Sequence, residues 1–425
     1  MKARSPCSAR ILLSEGSSLS AREVISDLGP RGYQLHVCDP DPVCLGRFSR
    51  YVRKVHRCPR YDRDPEAYIA TVTRIIRDER IDVLLPVHEQ SYLLSRVRTR
   101  VEPAVGLAVP DFTAIDAVLN KATFIRLLDE LAIPHPSTRI VTSPAVLLAT
   151  ESFPVFVKTA YGASSHGVWL VRDAADLESI ADSLARQGLL AGDSEVLVQA
   201  PARGEMEMAL AVFDRGVLIG SHCCRRLRAG VSGSSSAKIA VDRPIVRTHL
   251  RIIGSRLRWH GALALDYFYD DGTGTPAYID ANPRLVEPMN AALSGLSLSD
   301  LTVRISLGEK PAPDDSSRSG RRTHMLLAAL LAVVERGGGR WAVLRELFDG
   351  VWRRGLYAGS KEELLPVGID PLSLAPLLYV LARALASPRR ASAFTRRSSG
   401  SLSLDRAAAA RIAALPPDRG VASAW

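Results

Sequence analysis

The sequence predicts an α/β domain followed by an α+β domain, with a mostly helical region after them, and three observations carry that prediction. Over residues 1–112 short apolar runs alternate with helix-period segments, the rhythm of an open parallel sheet. Over residues 113–310 a capped amphipathic helix gives way to longer apolar runs separated by Gly/Ser loops, the texture of largely antiparallel strands. Over residues 311–425 strand signals fade, and a Pro/Asp/Ser-rich linker leads into helical, basic sequence.

In the first region "ARILLSEG", "YQLHVCDPD", "IDVLLPVHE" and "GLAVP" read as strands, and "SAREVISDLGPRG" and "PEAYIATVTRIIRDER" as the helices between them. The turn after the first strand lacks GxGxxG, so a dinucleotide fingerprint is absent. In the second region "NKATFIRLLDELAIPHPST" is a helix ended by Pro134 and Pro136. Then "FPVFVKTAYGASSHGVWLVRD" reads as two strands around a small-residue loop. A helix "ADLESIADSLARQGL", the strands of 194–227 and a helix near 245–258 follow. "GALALDYFYDDGTGTPAYIDANPRL" closes the region as a hairpin with an Asp-Asp-Gly turn. "PAPDDSSRSGRR" begins the third region, and "SPRRASAFTRRSSGSLSLDR" is basic and Ser-rich.

Composition narrows the function classes. The chain of 425 residues is 47% hydrophobic and 24% charged, ordinary for a soluble globular protein. None of its six cysteines forms a CxxC pair, which removes zinc ribbons and thioredoxin-like chemistry and fits reduced thiols in the cytoplasm. Neither a signal peptide nor an apolar run long enough to span a bilayer is present. Of the net charge of +10, residues 311–425 carry +7, from 17 Lys and Arg against 10 Asp and Glu. That surface is compatible with a weak peripheral membrane or protein contact, but no aromatic-interleaved pattern points to nucleic acid.

Only seven of the 55 basic residues are lysines. Where arginine is the default, an internal lysine asks for a reason specific to a compact ammonium, such as a phosphate contact, and this singles out Lys121 and Lys158. Lys158 is followed by a loop holding Gly162, Ser164, Ser165 and Gly167, small enough to bring backbone N–H groups close to a polyphosphate. In "YIDANPR" period-two geometry sends Asp280, Asn282 and Arg284 to one side of a strand. The expected hairpin neighbour delivers Asp266 to the same place. Carboxylate and amide oxygens with a guanidinium suit Mg²⁺ and an anion.

In this order the motifs resemble the ATP-grasp superfamily, in its carbamoyl-phosphate-synthase-like and biotin-carboxylase-like branch, over residues 8–310. The resemblance implies an N-terminal pre-ATP-grasp domain, an ATP-grasp domain and a C-terminal extension. It implies that Lys121 in "NKATF" and Lys158 in "FVKTAYGASSHGV" contact ATP phosphates, with Gly162, Ser164, Ser165 and Gly167 forming a flap over them. "VLVQAPARGEME" resembles the hinge strand, implying adenine recognition around Gln199 to Ala202 and a ribose contact from Glu207. Asp266, Asp280 and Asn282 would hold Mg²⁺ (or Mn²⁺), and Arg284 would meet the transferred phosphate. Asp stands at 266 and 280 where the family more often has Glu, and Ala200 stands where a hinge carboxylate is common.

The implied activity is ATP-dependent ligation: a carboxylate is activated as an acyl phosphate and attacked by an amine, releasing ADP and phosphate. Two alternatives stay open, a bicarbonate-activating carboxylase or carbamoyl-phosphate-type enzyme, and a non-catalytic nucleotide-binding regulatory or scaffold module. Small carboxylate and amine substrates are the implied partners, and a homodimer is compatible with the sequence.

Overall fold

In the computed structural model the described residues are 8–101, 104–162, 167–192, 194–364, 366–387 and 404–416. Ser164 and Ser165 of the flap lie outside them.

The first sheet is wholly parallel, in the order β3-β2-β1-β4, from β1 (Arg10–Leu13), β2 (Gln34–Asp39), β3 (Val52–Arg57) and β4 (Val83–Leu85). Its centre is apolar on both faces, with Ile11, Leu12 and Leu13 fully buried under the helices Leu19–Leu28 and Pro65–Glu79. Two details differ from the sequence expectation. "VRKVHR" is a strand without an apolar pattern because it is an edge, where exposed charged side chains also discourage pairing with other chains. "GLAVP" is buried, yet it meets the sheet only through a bridge from Gly106 to Val83.

The second sheet, antiparallel in the order β5-β8-β6-β7, comprises β5 (Thr138–Val141), β6 (Val155–Thr159), β7 (Val168–Val171) and β8 (Val196–Gln199). The third has seven strands in the order β13-β12-β9-β10-β11-β14-β15. They are β9 (Glu205–Asp214), β10 (Val217–Ala229), β11 (Ser235–Val241), β12 (Gly261–Asp270), β13 (Thr275–Asn282), β14 (Arg322–His324) and β15 (Lys361–Glu362). The expected hairpin is β12–β13, and Cys223 and Cys224 pack, buried, in β10.

After residue 310 the chain does not leave this sheet: β14 pairs antiparallel with β11, and β15 continues parallel to β14. Helices Leu326–Glu335, Arg340–Val351 and Leu374–Ala386 then pack on one another around Leu330, Val343 and Leu377. Buried polar pairs tie the extension down. Arg22 of the first region donates to Asp370 at 2.9 Å. Lys238, with no exposed surface, lies 3.0 Å from Glu287, 2.8 Å from Glu363 and 4.0 Å from Glu23. No helix among the described residues is long and apolar enough to cross a membrane.

Candidate nucleotide and metal site

A cavity of about 1270 Å³ opens between the three sheets and is lined by Lys121, Lys158, Gln199, Asp266, Asp280, Asn282 and Arg284. Local structure explains how each arrives. Asn120 caps the helix Lys121–Glu130, its side-chain oxygen accepting from the N–H groups of Ala122 and Thr123. The cap sets Lys121 in the first turn, and its own N–H donates to Ala160 O at the end of β6. Its Nζ then sits 3.1 Å from Asp280 Oδ1 and donates to Gly162 O at 2.8 Å.

Lys158 reaches the same space from β6. Phe156 stands opposite Gln199 and Lys158 opposite Leu197, so Gln199 is a same-face diagonal neighbour of Lys158, and Lys158 Nζ donates to Gln199 Oε1 at 2.6 Å. Burial lowers the Lys158 pKa to about 8. Lys121 pushes it the same way, against the pull of Asp280 and Asp266. Gly162 and Gly167 flank the flap with positive φ, and a Cβ on Gly167 would fall 2.1 Å from Thr159 Oγ1, so only glycine fits there.

Asp266 and Asp280 stand opposite each other in the β12–β13 ladder, with Asn282 opposite Ala264 on the same face. Asn282 links the set: its Nδ2 donates to Asp266 Oδ2 at 3.3 Å, and its Oδ1 accepts from Arg284 Nη2 at 3.1 Å. Burial raises the Asp266 pKa to about 7, and Asp280 and Glu287 add to the rise. A buried carboxylate held so high lacks a full cationic partner. Among the described residues no cluster of three or more His, Cys, Asp or Glu forms a metal site. Two carboxylates and an amide nevertheless suit Mg²⁺, which completes its shell with substrate phosphates and water, so the residues present fit the ion.

Arg284 is buried, and its Nε has no hydrogen-bond partner. The nearest carboxylate, Glu89, stands 4.0 Å from Nη2, and burial raises the Glu89 pKa although Arg284 opposes the rise. His88 and Glu89, at the end of the expected strand "IDVLLPVHE", carry no motif in the sequence, yet both are buried beside Arg284, and the Leu404 N–H donates to Glu89. Arg226 was missed altogether; it lies on the cavity face of β10, opposite Lys238. The signal that could have found it is alternation, since Cys224 and Arg226 share that face.

Ala202 lines the cavity as well. Glu207 borders it too, but its side chain is fully buried. It stands opposite Tyr267 while Met208 stands opposite Asp266, so its carboxylate points to the other face of the sheet. There it accepts from Arg225 at 2.9 Å, from Arg243 at 2.7 and 2.9 Å and from Tyr267 at 3.0 Å. The structure does not bring this carboxylate to Lys158 and Asp266.

No family model matches the chain. Over 229 residues, 50% of its length, it is 28% identical to the carbamoyl phosphate synthase large chain of Gemmatimonas aurantiaca, of which it covers 20%. The chain thus spans about a fifth of the length of the curated relatives it matches. Among solved structures it is similar to the biotin carboxylase domain of Hydrogenobacter thermophilus 2-oxoglutarate carboxylase, in complex with MgADP and bicarbonate. The TM-score is 0.57 at 14% identity, covering 74% of this chain and 73% of that one. It is also similar to an N5-carboxyaminoimidazole ribonucleotide synthetase in complex with ADP, with a TM-score of 0.59 at 15% identity over 81% of this chain and 86% of that one. The likeness to these structures extends over about three quarters of the chain, and the chain has the ATP-grasp fold.

Proposed function

We propose that the chain is an ADP-forming ligase that activates a carboxylate as an acyl phosphate for attack by an amine. The observation that carries this reading is the convergence of Lys121, Lys158, Asp266, Asp280, Asn282 and Arg284 on one cavity. ATP is the phosphoryl donor, with Lys121 and Lys158 on its phosphates and Gln199 and Ala202 on the adenine side. Mg²⁺ or Mn²⁺ held by Asp266, Asp280 and Asn282 would supply neutralising charge for the phosphate oxygens. Arg284, buried with an unpartnered Nε, orients the carboxylate or the migrating phosphoryl group. Gly162 and Gly167, both with positive φ, let their backbone approach the phosphates closely.

No side-chain nucleophile is needed, because the carboxylate oxygen itself attacks the γ-phosphorus and the amine later displaces phosphate. The similar biotin carboxylase domain is in complex with bicarbonate, but the cavity here continues past the phosphate and metal residues to Leu331, Tyr379 and Val380, which favours a larger acid. The described cysteines are all free and buried, in keeping with a reduced, cytoplasmic setting. The test is Mg²⁺-dependent ADP release against pooled amino acids and dipeptides. Stimulation over the no-acceptor rate supports the ligase; tight Mg·ATP binding without release in any pool assigns the chain to nucleotide binding alone.

A further inference from the structure

The cavity runs well past the phosphate and metal residues, and its far wall comes from a part of the chain in which the sequence shows no catalytic motif. Beyond Arg284 it passes Glu287, whose Oε1 accepts from Ser235 N at 3.2 Å and whose Oε2 lies 3.0 Å from Lys238. Glu287 is held in the left-handed backbone region at φ 45, so its position is over-determined by these contacts. On the other side of Ser235 the lining turns apolar. Leu45 and Phe48 arrive from the N-terminal domain, Val231 from the β10–β11 connection, and Leu331, Tyr379 and Val380 from the C-terminal helices. Leu45, Val231, Leu331 and Val380 pack against one hydrophobic cluster, so this wall is continuous. Tyr379 is 52% exposed and stands at the mouth.

We propose that this apolar end is the acceptor-specificity pocket, and that it takes a carboxylate bearing an aliphatic or aromatic side group. The inference rests on the ligase reading. The head group lies by Arg284 and Arg226, which line the cavity, while the apolar end offers a second anionic group on the same molecule no counter-charge. The side group extends past Val231 toward Leu331 and Val380. The C-terminal extension thereby selects the substrate while the two preceding domains handle the nucleotide. Burying a leucine-sized group is worth about 1.5–3 kcal/mol, or roughly tenfold to a hundredfold in affinity.

The experiment measures binding of L-leucine, L-phenylalanine, glycine and L-aspartate by calorimetry to the full chain, with and without saturating Mg·ADP. Leucine and phenylalanine should bind at least about tenfold tighter than glycine and aspartate. Leu331→Asp should bring leucine and phenylalanine down to the glycine level with the Mg·ADP affinity kept. Tyr379→Ala, at an exposed position that the fold tolerates, should weaken phenylalanine most. Equal binding of all four probes, or a preference untouched by Tyr379→Ala, overturns the proposal. Failure of Mg·ADP to bind overturns the nucleotide reading instead, because the amino acid preference is still read without nucleotide.

Discussion

Asp266 and Asp280 are directly opposed on β12 and β13: Lys121 pairs with Asp280, while Asp266 accepts from the Asn282 amide and has no ion pair among the described residues. Burial raises the Asp266 pKa to about 7, and the opposed Asp280 adds to the rise. This is the arrangement a divalent cation would relieve.

Asp280→Asn should therefore keep the fold and lose the metal-dependent reaction. The amide nearly preserves shape and removes one anionic ligand, so Mg²⁺-dependent ADP release should drop by about a hundredfold or more. Because Asp280 is one of the causes that raise Asp266, its neutralisation should also lower the Asp266 pKa, readable by infrared titration of the carboxyl band. A folded variant with unchanged ADP release would remove the metal role of this strand.

Arg284→Lys should fail in another way. A single ammonium cannot replace two parallel N–H donors on a phosphoryl or carboxylate group, so kcat should fall by about tenfold to a hundredfold while ATP affinity changes little. Single-turnover kinetics separate the two effects, and a loss confined to KM for ATP would contradict the assignment.

Lys158 gives a pH signature. Folded Lys158 releases its proton near 8, whereas an unfolded lysine holds its own to about 10.5. Between those values unfolding takes up a proton, so the contribution of Lys158 to stability rises with pH there; below about 8 the full cost of burying the ammonium is present. Phosphates beside Lys158 should raise its pKa, so ATP binding at pH 8 should take up about half a proton, measured by calorimetry in buffers of different ionisation enthalpy. Lys158→Arg should abolish that uptake and slow turnover by about a hundredfold.

Glu207→Gln separates a structural carboxylate from a ribose ligand. The side chain is fully buried against Arg225 and Arg243, which would keep only the more exposed Asp271 as a counter-charge, so stability should fall by about 2 kcal/mol. Urea unfolding and ATP affinity are the two readouts. A loss of ATP affinity with stability unchanged would restore the ribose role.

The residues legible in the sequence are those whose partners are close in the chain or fixed by strand period. Asp280, Asn282 and Arg284 lie on one short segment, and the Asp-Asp-Gly turn places Asp266 across from them. Lysine scarcity flagged Lys121 and Lys158, which do line the cavity, but Lys238 was equally scarce and is buried among carboxylates. Scarcity alone does not tell a phosphate contact from a buried ion pair. Glu89 reaches the site through tertiary packing of elements far apart in sequence, which periodicity does not encode; alternation marks the strand face of Arg226 but not that this face meets the cavity. The outward side of Glu207 could have been read from its register with Tyr267, had the order of strands been known.

Lys238 has a consequence for how the chain comes into being. Its one charge is met by carboxylates at positions 23, 287 and 363, synthesised first, midway and late. Until residues 361–363 have been made, the seven-stranded sheet lacks its edge strand β15 and the nearest counter-ion of a wholly enclosed ammonium. Final closure of the seven-stranded sheet therefore waits for residues 361–363, about 120 positions after Lys238 has been made.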